Sequence, residues 1–149
     1  MPDREIEIQL NLATAEEAQK LAESIRQEGG KAEVRSEKGI LPLAVLLVVA
    51  IPPGVALLAM VASHIAHTWR DGGVIIDARG TGRPTVRREK GLPYGTVVIL
   101  TRDHDKAQRS DLTNDVDLAK YIEAAMKGVT GGLGAEAAKK SADAAVAKS

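Results

Sequence analysis

His64 and His67 stand three residues apart in a run that reads as helix, SHIAHTWR. That spacing puts both imidazoles on one helical face, where they could hold a metal ion. No carboxylate lies within a turn of either histidine to complete a coordination set, so a helix-end histidine pair is the plainer reading. Asp103-His104-Asp105 offers three ligand-type side chains in a row. Neighbours in a tight turn point different ways, and such turns are polar because water solvates them. Gly80-Thr81-Gly82 follows a strand pattern but leads into Arg83-Pro84 and no helix, so it lacks the context of a phosphate cradle. No Ser-His-Asp order, catalytic carboxylate pair or nucleophile elbow can be assembled. The chain is expected not to be an enzyme, and neither a metal nor a cofactor is expected.

Arg79, Arg83, Arg87, Arg88 and Lys90 form the densest basic run. They suit a solvated loop with an edge strand, whose charges discourage strand-to-strand aggregation. Beside a membrane, Arg83, Arg87, Arg88 and Lys90 would instead meet anionic lipid, at about 1 kcal/mol each.

The chain has 149 residues, which favours one domain. Its 20 basic and 20 acidic side chains cancel, which argues against a nucleic-acid partner. With no Phe, one Trp and two Tyr, it has no aromatic platform for stacking bases. It has no Cys, which excludes disulfides, zinc-thiolate sites and thiol catalysis. The opening MPDREIEIQL is charged and lacks an apolar h-region, so no signal peptide is expected.

The elements that must position these residues begin with a strand. Ile6, Ile8, Leu10 and Leu12 alternate with polar residues, the pattern of a half-buried strand. Thr14 and Glu17 form a capping box for a helix with Ala18, Leu21, Ala22 and Ile25 inward, ended by Gly29-Gly30. Residues 31–37 alternate again, completing β-α-β. Later strands are expected at Val74–Ala78 and Thr96–Arg102, with a short edge strand at Thr85–Arg88 and a return strand at Ala107–Leu112. Asn114 or Asp115 can cap a last helix, with Leu118, Ile122 and Ala125 inward and Gly128 at its end. Residues 129–149 carry too few large apolar groups to offset chain entropy and read as a mobile tail.

Between these halves lies ILPLAVLLVVAIPPGVALLAMVA, residues 40–62. No Asp, Glu, Lys or Arg occurs from residue 39 to residue 69. Insertion of such a segment into a bilayer would gain about 4–8 kcal/mol before the prolines are counted. Pro52-Pro53-Gly54 divides it into two helices, Leu43–Ile51 and Val55–Trp69. The first is apolar all round and must meet lipid or protein. Basic residues on both sides favour a hairpin over a single crossing. The contact with membrane or with an apolar protein partner is expected through Leu43, Leu46, Leu47, Val48, Ile51, Leu57, Leu58, Val61, Ile65 and Trp69.

The strand IEIQLNL, the capped helix EEAQKLAESIR, the strand KAEVRS, the apolar stretch ending in HTWR, the strand region TVVILTRDHDKAQRSDL and the helix DVDLAKYIEAAM follow in order over roughly residues 4 to 127. This order resembles the effector-associated constant component family of bacterial conflict systems. The resemblance implies a small α+β protein acting as a signalling or adaptor component, with no catalytic residues to carry over. The chain departs from that pattern in its Pro-Pro-Gly hairpin and its long basic insert at residues 79–95.

The expected fold is α+β: a mixed sheet of four to five strands, a β-α-β start, an inserted hydrophobic helical hairpin at residues 40–70 and a C-terminal helix, in one domain over residues 1–128. The expected function is a non-enzymatic interaction module, anchored to a membrane or self-associating into a homo-oligomer through the hairpin. The alternative is a small effector whose hairpin perturbs the bilayer. The expected location is the cytoplasmic side of the cell membrane, or else the cytoplasm.

Overall fold

The computed structural model describes residues 6–36, 45–52, 57–80, 83–102 and 105–147. Strand β1 (Ile6–Leu12) leads into helix α1 (Ala15–Gln27), then β2 (Lys31–Ser36), β3 (Val45–Ile51) and α2 (Leu57–Thr68). Strands β4 (Gly73–Asp77), β5 (Thr85–Glu89), β6 (Val97–Leu100) and β7 (Lys106–Arg109) follow, then helices α3 (Asp115–Thr130) and α4 (Ala135–Ala147). The seven strands form one mixed sheet in the order β2-β3-β1-β5-β4-β6-β7. Pairs β1/β5 and β4/β6 are parallel, and the other four are antiparallel. Since β1 and β2 both run antiparallel to β3, they run parallel to each other with β3 between them, a split β-α-β unit. The α+β class with a mixed sheet is thus as expected, but the sheet is wider than four or five strands.

The capped elements form where their sequence signals lie. Thr14 accepts from the Glu17 amide at 3.1 Å, and α1 buries Ala18, Leu21, Ala22 and Ile25. The Asn114 side chain caps α3 by accepting from the Val116 and Asp117 amides. Strand β5 is not an edge strand: it occupies the middle of the sheet, between β1 and β4.

The apolar stretch is where expectation fails. Residues 45–51 are strand β3, not the first helix of a hairpin. In VLLVVAI, Val45, Val48, Val49 and Ile51 are β-branched and suit a pleated surface. A short run apolar at every position carries no periodicity, so helix and strand cannot be told apart by pattern. The partner α2 covers only 12 residues, about 18 Å at 1.5 Å per residue, against about 30 Å of bilayer hydrocarbon. Among the described residues, no helix is long and apolar enough to cross a membrane. The anchoring hairpin and the bilayer-perturbing effector are therefore overturned, and no membrane-crossing helix supports a place at the cell membrane.

The segment read as a mobile tail contains helix α4, which buries Ala135, Ala138 and Ala142. Small side chains let it approach α3 closely: a Cβ placed on Gly128 would sit 3.1 Å from the Ala138 Cβ. The helix is also tied down by polar contacts. The Ala135 amide donates to Thr101 Oγ1 at 3.0 Å, and Arg109 Nη1 meets Asp143 at 2.9 Å.

All four helices contribute to one core with one face of the sheet. Ile8, Leu10, Leu47, Val49, Ile76, Val86, Val97 and Ile99 point into it from the strands, and Trp69, Tyr121, Ile25, Leu57, Ile65 and Leu118 from the helical layer. Among the described residues, no helix packs on the other face.

Candidate functional site

The two histidines do find carboxylates, but on other elements. The Glu17 carboxylate stands in the first turn of α1, where Oε1 accepts from the Ala13 amide at 3.4 Å. Its Oε2 lies 2.9 Å from His64 Nε2 and accepts from Trp69 Nε1 at 3.1 Å. His67 Nε2 lies 3.1 Å from Asp115 Oδ2, which Arg70 also contacts at 3.3 Å. Each histidine thus pins α2 to the start of a neighbouring helix, α1 or α3. Among the described residues, no group of three or more His, Cys, Asp and Glu side chains is placed to hold a metal.

Ser63, His67 and Asp115 come together in a serine-histidine-aspartate order, but their geometry is not that of an activated nucleophile. His67 Nδ1 lies 2.8 Å from the Ser63 carbonyl oxygen and 3.4 Å from Ser63 Oγ. The shorter Nδ1 contact is thus to a backbone carbonyl, which only accepts, and not to the hydroxyl that a base would have to address. The cluster fastens helices; Tyr94 adds to it by donating to the Ala66 carbonyl at 2.7 Å.

The basic run is consumed largely by ion pairs. Asp77 accepts from Arg79 through both carboxylate oxygens, at 3.0 and 2.8 Å, and from Arg87 at 3.4 Å. The Arg79 hydrogen bonds hold its carboxyl down at about 2, against the opposing effect of burial. Arg88 pairs with Asp71 at 2.8 Å and stacks over Trp69. Arg83 and the exposed Lys90 flank β5.

On the helix-free face, cross-strand partners line up in rows across all seven strands. One row runs Glu33, Val48, Gln9, Thr85, Asp77, Leu100, Lys106, and the next runs Arg35, Leu46, Asn11, Arg87, Ile75, Val98, Gln108. Strand β1 presents Glu7, Gln9 and Asn11 here, as a solvated face should. Its neighbour β3 presents Leu46, Val48 and Ala50, all half-buried. Ile75 and Val98 are buried on this face yet do not belong to the main core.

Of the ten residues expected to touch a membrane or partner, seven lie in the chain's own core: Leu47, Ile51, Leu57, Leu58, Val61, Ile65 and Trp69. They are covered by this chain's sheet and helices. Leu46 and Val48 point to the helix-free face, and Leu43 lies outside the described residues. Gly80-Thr81-Gly82 and Asp103-His104-Asp105 are only partly described; Asp105 is exposed.

A cavity of about 860 Å³ opens at the ends of β4 and β6, against the turn between α3 and α4. Glu7, Arg83, Arg102 and Asp105 line it with both signs of charge, and Thr101 and Thr130 add hydroxyls. Among the described residues, the two buried polar side-chain atoms without a partner are Thr96 Oγ1 and Tyr121 OH, and neither lines it. Sequence reasoning missed Glu17 as a partner of His64, and its place in the capping box was the one signal available. Compared with known protein families, curated proteins and solved structures, the chain finds no match in any of the three.

Proposed function

We propose that this chain is a non-catalytic interaction domain that docks a protein on the helix-free face of its sheet. One observation carries the reading: β3, apolar at every position, sits inside the sheet and turns Leu46, Val48 and Ala50 toward the side that no described helix covers. A sheet with one solvated face shows apolar residues inward and polar ones outward, as β1 does. A strand apolar on both sides fits a sheet covered on both sides. The mixed charges around the patch suit a protein surface. They are a poor match for the uniform charge of nucleic acid. Such a role is also what the resemblance to effector-associated constant components would imply.

The test is photo-crosslinking in cells from a photoreactive residue placed at Val48, with Lys20 on the exposed side of α1 as control. Docking predicts adducts from position 48 and few from position 20. Equal labelling from both positions, or none from position 48, contradicts it.

A further inference from the structure

We infer that the partner on this face is a second copy of the chain, packed sheet to sheet about a two-fold axis that runs along β5; this rests on the docking reading above. Strand β5 is the middle strand of seven, so the axis pairs strands equally far from it. Strand β3 then faces β6 of the second copy, β2 faces β7, and β1 faces β4.

Along the row through Thr85, this operation places Val48 over Leu100 and Glu33 over Lys106. Apolar meets apolar, and at the rim acid meets base. Along the next row, Leu46 meets Val98. On the axis itself Thr85 and Arg87 each meet their own copy, and the Arg87 guanidinium is already held by Asp77 at 3.4 Å. This is the self-complementarity that an isologous interface requires. Packed sheets do not align perfectly; an offset of about 30° shifts contacts at the rims by a residue or so and leaves the pairing of patches intact.

The size is sufficient. Seven strands about 4.8 Å apart, each of about five residues at 3.3 Å, make a face of roughly 34 by 17 Å. In projection that is on the order of 550 Å² per copy, so the pair clears the roughly 1,000 Å² expected of a specific interface. The zero net charge of the chain does not oppose self-association.

Sedimentation equilibrium tests this over roughly 1 to 100 μM, the range in which a modest homodimer dissociates. The wild-type chain is expected to be a dimer at the upper end. Glu33→Lys turns two symmetric attractions into repulsions and should weaken association by about tenfold. Adding Lys106→Glu to Glu33→Lys should restore it. Glu33 is exposed, and its ion pair among the described residues is with Arg35 two residues away, so its reversal is not expected to unfold the chain. A chain that stays monomeric throughout, or a dimer indifferent to both changes, overturns the inference. A monomer that still gives adducts from position 48 in cells overturns the second copy alone; a monomer without adducts takes the docking reading with it.

Discussion

The Glu17 carboxylate lies 2.9 Å from the His64 imidazole across 47 residues of sequence, and the same oxygen takes the Trp69 indole proton. One side chain in the first turn of α1 thereby fixes the end of α2 against it. Glu17→Ala would remove the cap interaction and leave the indole N–H without its acceptor in a largely buried setting. We expect a loss of about 2–3 kcal/mol, with a smaller loss for Glu17→Gln, which keeps an acceptor. Urea unfolding reads this as a lower midpoint at unchanged slope.

Asp77 makes stability depend on acid. Its carboxyl sits at about 2 in the folded chain, against about 3.9 for an ordinary aspartate. A depressed carboxyl contributes stability that is complete above the unfolded value and is lost as pH falls from about 4 toward 2. Arg79 is half exposed, so solvent screening reduces the contribution to about 1–2 kcal/mol. Asp77→Asn should flatten that part of the pH profile and cost a similar amount at pH 7. An unchanged acid limb would contradict this assignment.

Tyr121 is fully buried on α3 with no partner for its hydroxyl among the described residues, and burial pushes its ionisation upward. Tyr121→Phe removes an unsatisfied polar atom and keeps the ring beneath Arg109. The substitution should be neutral or stabilise by up to about 1 kcal/mol in thermal unfolding. A loss of more than that would show a hydrogen bond absent from this account.

Helix α4 depends on small residues where it crosses α3. Ala138 is fully buried and faces Gly128 at 3.1 Å from the position of a Cβ there. Ala138→Leu should force the helices apart at a cost of about 1–3 kcal/mol. Limited proteolysis would then cut the turn at residues 131–134 faster than in the wild-type chain. Equal cleavage rates would mean that α4 tolerates the larger side chain in place.

Several elements were legible because they carry signals that act locally. Alternation in β1, the Thr14–Glu17 box and the Asn114 cap each fix structure within a few residues. Strand β3 was not legible, since a run apolar on both faces has no period to read. The position of β5 was hidden for another reason: parallel pairing with β1 joins residues some 76 apart, Gln9 with Thr85, and no local pattern encodes it. Helix α4 looked too poor in apolar surface, because alanine contributes through close approach of backbones more than through area. His64 showed its spacing in the sequence, but its partner Glu17 became visible only when the fold brought α1 and α2 together.

A chain carrying Val48→Cys and Leu100→Cys would show whether β3 of one copy faces β6 of another. The native chain has no cysteine, so a short bismaleimide can react only at these positions. Within one chain they lie four strands apart, roughly 19 Å at 4.8 Å per strand, whereas facing sheets lie about 10 Å apart. Efficient linkage into a species of twice the chain mass is expected, and none from a control carrying Lys20→Cys with Val48→Cys. A double variant that remains single-chain at every concentration would contradict that arrangement.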